Sequence, residues 1–101
     1  MIIYNTTIKV SWIIHEAWLE WIQKTHIKEI LETRCFQKHQ LVRLLETDDE
    51  EGPTYAIQFY AAGKDDYYKY IENFADRLKQ KSIDRWGDQF IAFNSLMQIV
   101  H

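Results

Sequence analysis

The sequence contains few of the residues that interrupt or staple a fold: 3 Gly, 1 Pro and 1 Cys among 101 residues. This scarcity of Gly and Pro excludes a low-complexity or disordered chain, and a hydrophobic content of 47% is typical of a globular protein. A chain of this length buries enough apolar surface to form a core without disulfides or a structural metal. The composition therefore predicts one folded domain, residues 1–101.

Long apolar runs are also missing. No stretch reaches the roughly 18 consecutive apolar residues of a membrane-spanning helix, and the start at Met1–Asn5 lacks the basic and apolar segments of a signal peptide. The single Cys35 has no partner for an internal disulfide, which is consistent with a reducing compartment. We therefore expect a cytoplasmic protein without a membrane partner.

Positive charge is neither abundant nor clustered. Lys and Arg number 12 against 15 Asp and Glu, which leaves a net charge of -3. Tyr4, Tyr55 and Tyr60 occupy strand positions comparable to the base-stacking rings of RNA-recognition motifs, but Pro53 and Thr54 replace the basic residue and Gly that begin such a motif. Because phosphate binding also needs clustered cations, nucleic acid is not an expected partner.

The first half of the chain predicts a strand and then a helix. Residues 2–10 alternate, with Tyr4, Thr6, Ile8 and Val10 on one side and Asn5, Thr7 and Lys9 on the other. From Ser11, a candidate N-cap, apolar residues at spacings of three and four predict an amphipathic helix; they are Ile14, Trp18, Trp21 and Ile22. After His26 the apolar stripe changes its angle, which predicts a kink or a second helical segment ending near Arg34.

The second half predicts a hairpin, a helix and a last strand. Residues 36–46 and 54–62 form two strands around an acidic hairpin loop at 48–53. After Gly63, a helix carries the apolar stripe Tyr67, Ile71, Phe74 and Leu78, and Gly87 ends it. Residues 89–100 complete the chain as a strand.

The order β-α-β-β-α-β predicts an α+β fold of the ferredoxin-like type, a four-stranded antiparallel sheet with two helices on one face. The less apolar register of the first, third and last strands predicts an open face of Asn5, Thr7, Ala56, Gln58, Tyr60, Ala92, Asn94 and Leu96, whereas neither register of the second strand is clearly less apolar. A surface of this mixed polarity is typically covered by a second subunit or a ligand. We therefore expect a homodimer.

Four segments together resemble a bacterial family known as domain of unknown function 4286: Met1–Ile8, Trp18–Trp21 with His26–Ile27, Tyr55–Phe59, and Gly87–Phe93. The resemblance covers nearly the whole chain and implies a small ferredoxin-like protein of the dimeric α+β barrel type, in which two sheets face each other. It implies no activity. The chain departs from the family pattern at Lys28, where Pro is usual, and at Arg34, where Gly is usual.

No residue pattern indicates a metal or another cofactor. His15-Glu16 begins like the zinc motif H-E-x-x-H, but position 19 is Leu rather than the second His. The acidic loop lacks the alternating oxygen ligands of a calcium loop, which favours a solvated hairpin tip. The sequence predicts no metal site and no cofactor.

Two functions remain open, and the sequence does not decide whether the protein is an enzyme. The first is a small homodimeric binding or interaction module, whose ligand-binding or dimer-interface residues would be Asn5, Thr7, Gln58, Tyr60 and Asn94. The alternative is a monooxygenase-like or haem-degrading-like enzyme with a pocket between sheet and helices. Asn5, His26 and Trp86 match such enzymes by residue type, with no matching spacing.

Overall fold

The strands and helices alternate in two similar halves. The computed structural model describes residues 1–101. The elements are β1 (Ile2–Val10), α1 (His15–Trp21), α2 (Ile27–Glu32), β2 (Lys38–Arg43), β3 (Thr54–Ala61), α3 (Lys64–Tyr70), α4 (Asp76–Trp86) and β4 (Phe90–Gln98). A π-helical turn, Ile22–His26, joins α1 to α2, and a second, Ile71–Ala75, joins α3 to α4, so each half contains one continuous helix. None of the helices combines the length and hydropathy needed to span a bilayer.

The four strands form one antiparallel sheet in the order β2-β3-β1-β4. Tyr4 lies opposite Phe59 and Thr6 opposite Ile57, so the even positions of β1 share a face with the odd positions of β3. This face packs against the helices through the buried core. The ferredoxin-like α+β fold and the predicted faces of β1 and β3 are thereby confirmed.

The predicted face of β4 is wrong. Tyr4 pairs with Leu96, Thr6 with Asn94, and the next even position with Ala92, so these three β4 residues lie on the helix side. The open face of the sheet, defined here as the face away from the helices, instead receives Ile91, Phe93, Ser95 and Met97. The polarity pattern misled because β4 is an edge strand that the helices leave largely uncovered, so that neither of its faces needs to be distinctly apolar.

The first helix changes its geometry where the sequence predicts a change. Trp18 is buried before the π-helical turn, Ile22 is buried at its first residue, and Ile27 and Ile30 are buried after it. The wider turn accommodates an additional residue, which rotates the apolar stripe. Ser11 is not the N-cap: the α-helix begins four residues later, and the Ser11 hydroxyl accepts a hydrogen bond from the N–H of Ile13.

The buried residues of the second helix coincide only in part with the predicted apolar stripe. Leu78 is fully buried and Tyr70 and Trp86 are buried as well, whereas Phe74 within the second π-helical turn is only partly covered. Gly87 ends the helix, as predicted, with φ 61° and ψ -128°. L-amino acids with a side chain rarely adopt this backbone conformation.

The loop between β2 and β3 approaches the end of β1 at Gly52, while Asp48, Glu50 and Glu51 are exposed, as predicted for a solvated hairpin tip. A Cβ at Gly52 would lie 1.6 Å from the Val10 carbonyl oxygen, so only Gly allows this approach. The indole of Trp12 donates to the carbonyl oxygen of Asp49 at 2.8 Å, and Arg43 pairs with the Asp49 carboxylate at 3.2 Å. β2 is consequently shorter than predicted.

Candidate functional site

A cavity of about 400 Å³ lies between the sheet and the two helices. Its inner wall is apolar and comes from the core; it includes Ile8, Ile30, Ile57, Phe59 and Tyr70. Polar side chains are few: Thr6 and Asn94 on the sheet side, His26 on the first helix, and the half-buried Ser82 with the exposed Asp76 and Lys79 on the second. An apolar cavity of this size with a few polar groups is typical of a small-molecule site.

Thr6 and Asn94 form the polar part of the sheet-side wall. The Thr6 hydroxyl donates to Asn94 Oδ1 at 2.8 Å, across the β1–β4 pair. Asn94 Nδ2 takes part in no hydrogen bond within the protein and is free to donate. The structure therefore moves Asn94 from its predicted place on the open face to the cavity.

His26 is the last residue of the first π-helical turn, a type of irregularity often found at functional sites. Its ring is stacked on Trp21, with centroids 4.6 Å apart and an interplanar angle of 20°. The Nδ1 atom is buried without a hydrogen-bond partner. Burial lowers the pKa of His26 to about 4; the nearby Glu29 opposes this effect and Lys81 adds to it. The imidazole is therefore neutral at pH 7.

Trp86 lies near His26 but outside the cavity lining. Its ring meets the Trp21 indole edge-on at 6.0 Å, and the Arg85 guanidinium lies 4.7 Å from its centre. Trp86 Nε1 is buried without a hydrogen-bond partner. His26 and Trp86 are thus linked through Trp21.

Asn5 lies on the opposite side of the sheet from His26. It pairs in register with Gln58 and Ser95 on the open face, and its Nδ2 donates to the Thr7 hydroxyl at 3.0 Å. Asn5 Oδ1 is buried without a partner. The three residues of the enzyme alternative, Asn5, His26 and Trp86, therefore do not surround one site.

The open face brings together the other predicted interface residues. Gln58 and Tyr60 follow one another on this face of β3, and the Tyr60 hydroxyl donates to Gln58 Oε1 at 3.3 Å. On the same face, beyond β1, the β4 residues Ile91 and Phe93 are 70% and 62% exposed. The sequence analysis missed these two residues, although the absence of any charged residue from 89 to 100 was a visible signal.

Nothing in the structure resembles a metal site, since no three His, Cys, Asp or Glu side chains cluster as ligands would. His15, which begins the incomplete zinc motif, instead lies 2.7 Å from the Tyr55 hydroxyl through its Nε2. Burial raises the pKa values of Tyr4 and Tyr70, so both phenols stay protonated beside the cavity. The cavity thus presents neutral groups on its inner wall.

The sheet order, the two helices and the cavity between them define a ferredoxin-like α+β protein. The model of one family, Domain of unknown function (DUF4286), matches residues 1–100, and the chain belongs to this family. The resemblance found in the sequence is therefore confirmed. No curated protein matches the chain.

Solved structures share the fold at low sequence identity. A dimeric ferredoxin-like protein from an uncultured marine organism matches with a TM-score of 0.75 and 14% identity, covering 99% of this chain and 95% of that one. A second protein of the same description matches with a TM-score of 0.70 and 15% identity, covering 100% and 96%. SnoaB, a cofactor-independent oxygenase from Streptomyces nogalater, matches with a TM-score of 0.70 and 10% identity, covering 99% and 93%.

Proposed function

We propose that the protein is a homodimeric module that binds a small, mostly apolar molecule in the cavity between its sheet and helices. The observation that carries the proposal is the cavity of about 400 Å³, whose apolar inner wall ends at His26 and Asn94. Burying an apolar ligand against this wall supplies affinity, and the two polar side chains supply orientation. The protein's own side chains leave both groups with hydrogen-bonding capacity.

The homodimer is supported by the exposure of β4 and by its lack of charged residues. This nine-residue edge strand carries no charged residue and is exposed on both faces, with Phe93 on the open face and Leu96 on the helix side. Long, uncharged edge strands pair readily with other chains, and proteins usually protect them with charge. The opposite edge, β2, is protected in this way by Lys38 and Arg43.

A second copy of the chain is the partner that fits this surface. β4 forms one edge of the open face and presents apolar side chains there. A two-fold contact through the open face therefore also covers these side chains of the uncharged edge strand. Two of the structural neighbours are described as dimeric ferredoxin-like proteins, which is consistent with this arrangement. We expect a buried area of about 1,200 Å² or more. Sedimentation at micromolar concentration tests the dimer, and a species of monomer mass alone would contradict it.

The ligand-binding function is tested by filling the cavity. Ala75 lines the cavity on the second π-helical turn, whereas Ala17 is exposed on α1 outside it. We expect small neutral aromatic compounds to shift the NMR amide signals of Thr6, His26 and Asn94 in the wild type and in Ala17→Leu. Ala75→Leu should abolish these shifts. Binding that is undiminished in Ala75→Leu would place the ligand elsewhere.

An oxygenase is the second candidate, favoured by the cavity together with the fold shared with SnoaB. Against it, a His26 pKa of about 4 makes the imidazole a weak base at pH 7, whereas a general base works best with a pKa near the working pH. Asn5 also lies across the sheet from the cavity. Oxygen consumption with a bound compound would favour the enzyme, and binding without turnover favours the module.

A further inference from the structure

The cavity wall holds one polar side chain that is almost completely buried, Tyr70. It lines the cavity from the end of α3 and is 3% exposed. Three aromatic rings surround its own ring, with centroids 5.0 Å away for Phe36, 5.7 Å for Tyr4 and 6.5 Å for Phe74. This packing fixes the direction of the phenol, and with it the position of the hydroxyl.

The Tyr70 hydroxyl has no hydrogen-bond partner within the protein, yet it is not sealed from water. The unpaired polar atoms that are sealed belong to Asn5, His26 and Trp86. Because the surrounding rings enclose the rest of the side chain, the small accessible surface of Tyr70 faces the cavity that the residue lines. A ligand in the cavity can therefore reach this hydroxyl.

No neighbouring group takes the proton of the Tyr70 hydroxyl. Burial raises the pKa of Tyr70, with smaller contributions from Tyr4 and Cys35, so the phenol stays protonated at neutral pH. The Cys35 thiol donates to the carbonyl oxygen of Thr33, and its sulfur is only a weak acceptor. Tyr4 is itself a protonated phenol, and the Thr6 hydroxyl lies close enough to affect its pKa. Tyr70 thus offers a hydrogen-bond donor without an acceptor.

The ligand group that suits this donor is an oxygen that accepts and carries no proton. The wall around Tyr70 is apolar, so a ligand hydroxyl would leave its own proton unpaired. A carboxylate would lose its hydration without gaining a cation, because Lys79 is exposed to solvent. A carbonyl oxygen accepts the hydrogen bond and adds neither a charge nor a donor.

We propose that the cavity selects neutral, apolar molecules that carry a carbonyl oxygen, and that Tyr70 is the specificity-determining residue that donates its hydroxyl proton to this oxygen in a hydrogen bond. The proposal rests on the ligand-binding function above and adds the chemical class of the ligand. A site with a polar group of this kind discriminates against analogues that lack the matching atom, because its own group is then left unpaired.

The test compares acetophenone with α-methylstyrene, in which a CH₂ group replaces the carbonyl oxygen with little change of shape. We expect the wild type to bind acetophenone on the order of tenfold more tightly than α-methylstyrene, and also more tightly than the alcohol 1-phenylethanol. In Tyr70→Phe, which loses only the hydroxyl, the preference for acetophenone over α-methylstyrene should disappear. Tyr68→Phe is the matched control and should keep it, because Tyr68 lies on the same helix, is 50% exposed and does not line the cavity.

Each part of the proposal has its own contradicting outcome. A preference retained in Tyr70→Phe would overturn the assignment to Tyr70. Equal binding of acetophenone and α-methylstyrene to the wild type would overturn the selectivity, and 1-phenylethanol binding as tightly as acetophenone would overturn the restriction to carbonyls. If none of the three compounds binds the wild type, the ligand-binding function itself fails, and the selectivity falls with it.

A measurement on the unmodified protein covers the case in which Tyr70→Phe does not fold. A hydrogen bond to a carbonyl oxygen weakens the C=O bond, so the infrared stretching band of acetophenone bound to the wild type should lie at a lower frequency than in hexane. A band at the hexane position would contradict the proposed contact, although the compound binds.

Discussion

The imidazole of His26 lies nearly parallel to the indole of Trp21, with ring centroids 4.6 Å apart. Trp21 in turn contacts Trp86 edge-on, which connects the end of the second helix to the first. A proton added to His26 would place a charge inside this aromatic packing. The stack can offset part of the cost through cation–π attraction, but burial dominates and keeps the ring neutral.

The stability of the protein should therefore fall at mildly acidic pH. The pKa of His26 is about 4 in the folded protein and 6.5 in the unfolded chain, so the unfolded state binds more protons between these values. The contribution of His26 to the free energy of unfolding is constant above about pH 6.5. It falls as the pH is lowered towards 4, by a total on the order of 3 kcal/mol. Urea unfolding at fixed protein concentration measures this slope.

The matched variants for the pH dependence are His26→Phe and His39→Phe. His39 is an exposed residue of β2. Carboxylates also titrate in this range, so the comparison between variants, rather than the absolute slope, isolates His26. We expect a shallower slope in His26→Phe and an unchanged one in His39→Phe. Equal slopes in all three proteins would show that the pKa of His26 is the same in the folded and unfolded states.

Dimer formation should depend on the apolar side chains of β4. Phe93 is 62% exposed on the open face, and a Lys at this position would bring like charges together across a two-fold contact. We expect Phe93→Lys to be monomeric at micromolar concentration with an unchanged circular dichroism spectrum. Leu45→Lys, in the loop between β2 and β3, is the control and should remain dimeric. A dimeric Phe93→Lys protein would exclude this face as the interface.

The sequence was most informative where a strand has one buried face. In β1 and β3, the helices cover one side, so the alternation of Tyr4, Thr6 and Ile8 with Asn5 and Thr7 predicted the faces correctly. For β4 the same reasoning failed, because the helices leave this edge strand uncovered and its polarity pattern carries no information about the core.

The candidate site was harder to predict than the fold. The cavity depends on how far the two helices stand from β4, which local periodicity does not report. His26 and Asn94 were identified separately from the sequence, but only the register of β1 with β4 places Asn94 on the cavity side. The sequence pattern indicated both His26 and Trp86 as candidates. It could not show that His26 lines the cavity and that Trp86 does not.

Arg34 should carry backbone strain that Gly would relieve. It has φ 64° just after the first helix, in the left-handed region that favours Gly. We expect Arg34→Gly to raise the free energy of unfolding by about 0.5 to 1 kcal/mol, with part of the gain offset by the greater freedom of Gly in the unfolded chain. Arg34→Ala retains the Cβ and should give no such gain. Equal effects of the two variants in denaturant unfolding would assign the change to the lost side chain.

The second helix should be held mainly by its fully buried residues. Leu78 is 1% exposed, and Leu78→Ala should cost about 2 to 5 kcal/mol because it leaves a cavity in the core. Phe74 lies on the same predicted stripe but is only partly covered, so Phe74→Ala should cost less despite its larger ring. Denaturant unfolding ranks the two. A greater loss for Phe74→Ala would mean that its ring is buried in solution.

Asn5 and Asn94 should separate dimer formation from ligand binding. Asn5 lies on the open face, where its Nδ2 donates to the Thr7 hydroxyl, and a Leu at this position would remove the amide from the surface that a second subunit would cover. Asn94 lies on the other side of the sheet, in the cavity wall. We expect Asn5→Leu to shift the monomer–dimer equilibrium and leave the binding of small neutral aromatic compounds unchanged, because the substitution alters only the open face.

Asn94→Leu should show the opposite behaviour. It removes the free Nδ2 from the cavity and leaves the Thr6 hydroxyl without its acceptor, so we expect weaker binding of small neutral aromatic compounds and a wild-type dimer mass. Sedimentation and NMR titration of the same two samples measure both properties. If each variant changes both properties, the open face and the cavity are not independent surfaces. If neither variant changes either property, these amides only face solvent, and neither belongs to a functional site.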